Sequence, residues 1–101
     1  MAEKRKLVLT KLATEHITQI YQFLLDEGAD AEAEELMNDF LDVVFGEIPK
    51  FPEQFPVCEG VKSGSSDYRI GSLVGDFRVI FQILKEKVLI LMILHESELP
   101  F

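Results

Sequence analysis

Two stretches decide the fold: residues 68–84, Tyr-Arg-Ile-Gly-Ser-Leu-Val-Gly-Asp-Phe-Arg-Val-Ile-Phe-Gln-Ile-Leu, and residues 88–95, Val-Leu-Ile-Leu-Met-Ile-Leu-His. They are rich in β-branched and aromatic residues and broken only at Gly75-Asp76 and around Lys85-Glu86-Lys87, which predicts three strands, Tyr68 to Val74, Phe77 to Leu84 and Val88 to His95, in an antiparallel meander. A two-residue turn at Gly75-Asp76 sets Val74, Ser72, Ile70 and Tyr68 opposite Phe77, Val79, Phe81 and Ile83, giving an apolar face to pack on helices. The other face then carries both Arg69 and Arg78, about 13 Å apart at roughly 3.3 Å per residue.

The last strand needs more cover than one layer of helices supplies, because Val88 to Leu94 is apolar at every position. Four candidates exist for that cover: the loop before Tyr68, the apolar tail Leu99-Pro100-Phe101, a second copy of the chain, or a segment of another protein. Leu89, Leu91, Ile93, Leu99 and Phe101 are accordingly the candidate partner-binding residues. His95 closes the strand. A two-residue turn at Lys85-Glu86 places it on the arginine side and a three-residue turn on the core side. It has the chemistry of a general acid or base that Glu96 or Glu98 could orient, or else it serves packing.

Upstream, residues 49–67 hold three of the four prolines and form a connecting loop that is either functional or pinned to the core by Phe51, Phe55 and Val57. Before it, Ala13, Ile17, Ile20 and Leu24 recur at helical spacing from Lys11 to Glu27, with Thr10 or Thr14 as cap and Gly28 as stop. His16 on this helix reads as structural. Ala33, Leu36, Met37, Phe40, Leu41, Val44 and Ile48 draw a second apolar stripe after an Asp30 cap, so the two helices form a hairpin. Residues 4–9, Lys-Arg-Lys-Leu-Val-Leu, read as an edge strand.

The whole is one α+β domain over residues 1–101, a helix hairpin packed on an antiparallel sheet of about four strands. The formal charge of −8 repels phosphate backbones and anionic membranes, so direct nucleic-acid binding is disfavoured. That charge is uneven: residues 1–60 carry five basic and thirteen acidic side chains, residues 61–101 five of each. No basic residue falls between Leu12 and Pro49, which leaves the helices with an anionic outer surface.

The lone Cys58 excludes an internal disulfide, is a weak nucleophile candidate and fits a cytoplasmic setting. No spacing suits a metal site or cofactor, and neither a phosphate-binding glycine loop nor a Gly-x-Ser-x-Gly elbow occurs. The seven-residue apolar run is far short of the about 20 residues that span a membrane.

The order strand, helix hairpin, Phe-Pro-Glu at 51–53, Tyr-Arg-Ile at 68–70, Gly-Asp-Phe-Arg-Val-Ile-Phe at 75–81 and Ile-Leu-Met-Ile-Leu-His at 90–95 resembles the RelE/ParE toxins of bacterial type II toxin–antitoxin (plasmid stabilisation) modules. The resemblance spans almost the entire chain. It implies a cognate antitoxin lying across the toxin, which would cover the doubly apolar strand. Members similar to ParE act on DNA gyrase; members similar to RelE cut messenger RNA on the ribosome. Residue by residue it marks Arg69, Arg78 and His95 as the catalytic candidates. Glu96-Ser97-Glu98 follows His95 where arginines are common, and Gln82 and Met92 stand where basic residues are frequent. Cleavage of RNA needs cations to hold phosphate and stabilise developing charge, so the expectation is a ParE-like toxin working by protein–protein contact. The alternatives are a ribosome-dependent endonuclease and a catalytically silent dimeric interaction module.

Overall fold

The structure, a computed structural model, describes residues 5–58 and 67–98. The chain runs β1 (Lys6–Leu9), α1 (Lys11–Asp26), α2 (Asp30–Phe40), a π-helical continuation (Leu41–Glu47), a short turn (Pro52–Gln54), β2 (Asp67–Leu73), β3 (Phe77–Ile83) and β4 (Lys87–His95). It is an α+β fold whose helices pack on one face of a four-stranded sheet ordered β1-β4-β3-β2.

Thr10 joins the two layers. Its side chain accepts a hydrogen bond from the Ala13 N–H, capping α1, while its hydroxyl donates to the Ile90 carbonyl at 2.6 Å. Gly28, at φ 76°, makes the left-handed turn that ends α1. Ala29 rather than Asp30 is the cap of α2, and Asp30 instead sits in its first turn, where a carboxylate suits the helix dipole. Beyond Phe40 the helix widens, with the Ile48 N–H reaching back to Val43, and so keeps Val43, Val44 and Ile48 buried. These residues meet Ala13, Ile17, Leu36 and Phe40 from the helices and Leu73, Val79, Phe81, Val88, Ile90 and Ile93 from the sheet. Each large side chain so buried contributes about 1.5–3 kcal/mol.

Three features of the sheet depart from the sequence-based expectation. First, the sheet is mixed: β2, β3 and β4 form the expected meander, but β1 runs parallel to β4, with Leu7 opposite Val88 and Leu9 opposite Ile90. The apolar strand is therefore an interior strand.

Second, the β2–β3 connection is three residues, Val74-Gly75-Asp76, with Gly75 at φ 72° and Asp76 at φ 63°. The pairing shifts by one, so Leu73 faces Phe77, Gly71 faces Val79 and Arg69 faces Phe81. The reason is physical: the shorter turn would bury the Ser72 hydroxyl against Val79, whereas the observed one buries Leu73 and leaves Ser72 exposed. Gly71 suits this close approach, since an added Cβ would lie 3.1 Å from both Phe55 and Val79 and one of them would have to give way.

Third, the β3–β4 connection closes tightly, the Leu84 N–H bonding to the Lys87 carbonyl, but the register slips within the strands. Ile80 pairs with Met92 and Phe81 with Ile90, leaving Leu91 as an extra, bulged residue. The bulge reverses the alternation, so Val88, Ile90 and Ile93 are all buried beneath the helices.

Candidate functional site

The three residues expected to act together stand apart. Arg69 is on the helix-side face with Phe81, and Arg78 is on the reverse face, level with Ser72 and Leu94. The expectation that both arginines share one face fails through the one-residue shift at the β2–β3 turn. Along the strands they also differ by three residues, about 10 Å.

Arg69 is fully engaged. Its Nε and Nη2 donate to the two carboxylate oxygens of Asp67 at 2.7 and 3.1 Å, and Nη1 donates to the carbonyls of Glu53 and Phe55 at 3.1 and 2.9 Å. The Asp67 hydrogen bond raises the guanidinium above its already high ordinary value, against the opposing effect of burial. This residue ties the 52–55 turn to β2. Phe55 then packs edge-on against Phe81, with centroids 5.3 Å apart. Residues 51–58 of the loop are thus pinned by Phe55 and by the backbone bridge of Val57 to Arg69, whereas the Phe51 and Val57 side chains are exposed; residues 59–66 lie outside the described residues.

Arg78 donates from Nη1 to the Phe77 carbonyl at 2.9 Å and pairs through Nη2 with Glu96 at 3.4 Å. Its side chain is 20% exposed against 59% for Glu96, so the positive charge is matched by a carboxylate from the segment following His95.

His95 lies opposite Phe77, its ring edge-on at 5.3 Å between centroids. The tight turn alone would bring it to the Arg78 face; the Leu91 bulge carries it to the helix side instead. Its Nδ1 accepts from the Ser97 N–H at 3.2 Å and meets the Ser97 hydroxyl at 2.8 Å, while the His95 backbone N–H donates to Glu98 Oε1. His95 lines an open apolar cavity of about 340 Å³ with Ile20, Phe23 and Phe77. His16 serves the sheet, as expected of a structural residue: its Nδ1 accepts the Ile93 N–H at 3.2 Å.

To cleave RNA together, these three side chains would have to converge on one phosphate, as base and charge-stabilising cations, and they do not. A cavity of about 640 Å³ opens beside the π-helical segment between Asp42, Lys50 and Phe51 and is lined by none of Arg69, Arg78 and His95. Among the described residues no group of three or more His, Cys, Asp or Glu could hold a metal ion, and no helix is long and apolar enough to cross a membrane.

The reverse face of the sheet is the remaining feature. Register places Leu89, Met92 and Leu94 of β4 there beside Gln82, Ile80 and Arg78, with Val8 of β1 level with Leu89. Leu89, Leu91, Met92 and Leu94 are only half-buried, whereas Ile93 is 1% exposed and belongs to the core, which removes it from the candidate partner-binding set. Leu99 and Phe101 lie outside the described residues. Met92 and Leu94 were not separable from Ile93 by sequence pattern, since a bulge within an unbroken apolar run leaves no mark in the alternation.

A family model described as the ParE toxin of the type II toxin–antitoxin system, parDE, matches residues 7–100. Among solved structures, a chain of the "Chromosomal ParDE TA system from P. aeruginosa" is similar to this one, with a TM-score of 0.70 and 17% identity over 91% of this chain and 96% of that chain. At that identity the likeness is one of fold. The comparison with curated proteins gave no match.

Proposed function

Because the chain belongs to the ParE toxin family of type II toxin–antitoxin systems, we propose that it acts by protein–protein contact in the cytoplasm and is neutralised by a cognate antitoxin that covers the reverse face of its sheet. The carrying observation is the half-buried Leu89, Met92 and Leu94 on an interior strand, an apolar surface beside Arg78. An apolar face of this kind is what a partner's segment buries. DNA gyrase is the target implied by the resemblance. The dispersion of Arg69, Arg78 and His95, and the neutralisation of Arg78 by Glu96, favour contact over RNA chemistry.

The test is induction of the chain in a bacterial host, alone and with the small gene adjacent to its own. Growth arrest relieved by co-expression, with intact transcript ends and inhibited supercoiling by purified gyrase, supports the reading. Cleaved messages would instead assign a RelE-like endonuclease. Unaltered growth with a stable homodimer in solution would assign a silent interaction module.

A further inference from the structure

A second surface, on the helix side, is built for a different occupant. Three cavities of about 150, 340 and 160 Å³ lie in a row and share lining residues: Gln19, Ile20 and Glu98 join the first to the second, and Phe77 joins the second to the third. Together they form one groove running beside α1 from His16 to Leu24 and on to α2, against the ends of β3 and β4. In the second and third cavities the floor is apolar, formed by Ile20, Leu24 and Phe77, with Phe23 on the wall 60% exposed, while the first, beside His16 and Gln19, is more polar. Among the described residues, the charged ones that line it are Glu32, Glu35 and Glu98, with no Lys or Arg.

An occupant that seals the apolar floor must also take water from those carboxylates. Among the described residues none of the three has a basic partner, and only Glu98 accepts a backbone N–H, that of His95, so a neutral or acidic occupant would leave Glu32 and Glu35 desolvated and uncompensated. Only an occupant bringing its own cations avoids that cost. A second copy placed symmetrically would set acids against acids, and anionic lipid or nucleic acid would be repelled. We infer that this groove docks a short cationic amphipathic segment of a partner protein, whose apolar side chains meet Phe23 and Phe77 and whose Lys or Arg side chains meet Glu32, Glu35 and Glu98.

The inference does not rest on toxicity: a chain that leaves growth unaltered would still bind such a segment, and a toxic one need not. The probe is a fluorescent amphipathic peptide of Lys and Leu, about 14 residues or roughly 21 Å as a helix, compared by anisotropy with a Glu and Leu counterpart on the full chain. The Lys peptide binds, the Glu peptide does not, and affinity falls with added salt. Phe23→Ser weakens binding by about tenfold or more, as loss of a central aromatic anchor does. Glu32→Gln with Glu35→Gln also weakens it while leaving the apolar floor intact, and Met92→Ser on the other face has no effect. Equal binding by all variants would overturn the inference. So would sensitivity only at Met92, a homodimer that protects Phe23, or binding seen only after removal of residues 99–101.

Discussion

The imidazole of His16 accepts the backbone N–H of Ile93, a contact 77 residues apart in sequence that occurs where β1 has ended and β4 would otherwise show a bare edge. Two residues on, the His95 N–H is taken by the carboxylate of Glu98. The upper edge of β4 is therefore closed by side chains instead of by a neighbouring strand. Replacing His16 by Phe leaves a partly buried donor unpaired and costs about 1–2 kcal/mol in denaturant titrations, whereas His16→Gln, which retains an acceptor, costs less. Faster amide exchange at Ile93 in the Phe variant marks the site.

Gly71 stands where the Phe55 ring meets the sheet. Gly71→Ala forces that ring away from Val79 and Phe81 and lowers stability by about 1–3 kcal/mol, read as a drop in Tm. Protease sensitivity of residues 52–58 rises with it.

Arg69 has a fastening role, so Arg69→Ala should release the same turn and cost about 2 kcal/mol, the scale of charge-assisted hydrogen bonds. Arg69→Lys recovers little, because an ammonium cannot span the Asp67 carboxylate and two carbonyls at once. Arg78→Ala, at a more open ion pair, changes stability by less than about 1 kcal/mol.

Deleting Leu91 removes the bulge yet keeps Ile93 and His95 on the helix side, because Met92 then follows Ile90 directly and still pairs with Ile80. The cost by denaturation is therefore small, about 1 kcal/mol, and a loss of about 3 kcal/mol or more would contradict this register.

On the reverse face, Met92→Asp and Leu89→Asp abolish antitoxin capture in a co-purification assay while Arg78→Ala does not, and the circular dichroism of all three matches the parent. Capture lost only with Arg78→Ala would contradict an apolar interface.

The helix hairpin is legible in the sequence because Ala13, Ile17, Leu36 and Phe40 recur at the helical period and Gly28 interrupts them, and the meander is legible because its turns are polar. What pattern did not reveal is register. Val74 and Leu73 are equally apolar, so the choice between a two-residue and a three-residue turn rests on the exposure of Ser72 and the seat of Phe55 on Gly71, both long-range facts. The parallel pairing of β1 is likewise non-local. Each one-residue shift moves a candidate side chain through the sheet, which is why Arg69 and His95 are found on the opposite face from Arg78.

The insertion of β4 between β1 and β3 has a consequence for how the molecule comes into being. This interior strand is made after the other three, so the sheet cannot close during synthesis until residue 95 has cleared the exit tunnel, and Leu7 must wait for Val88 across most of the polypeptide. Such distant pairings raise the contact order and slow the final collapse. A nascent chain thus spends its translation time with its helices and the β2–β3 hairpin free to form while β1 stays unpaired, and the reverse face of β4 arises only at the last step.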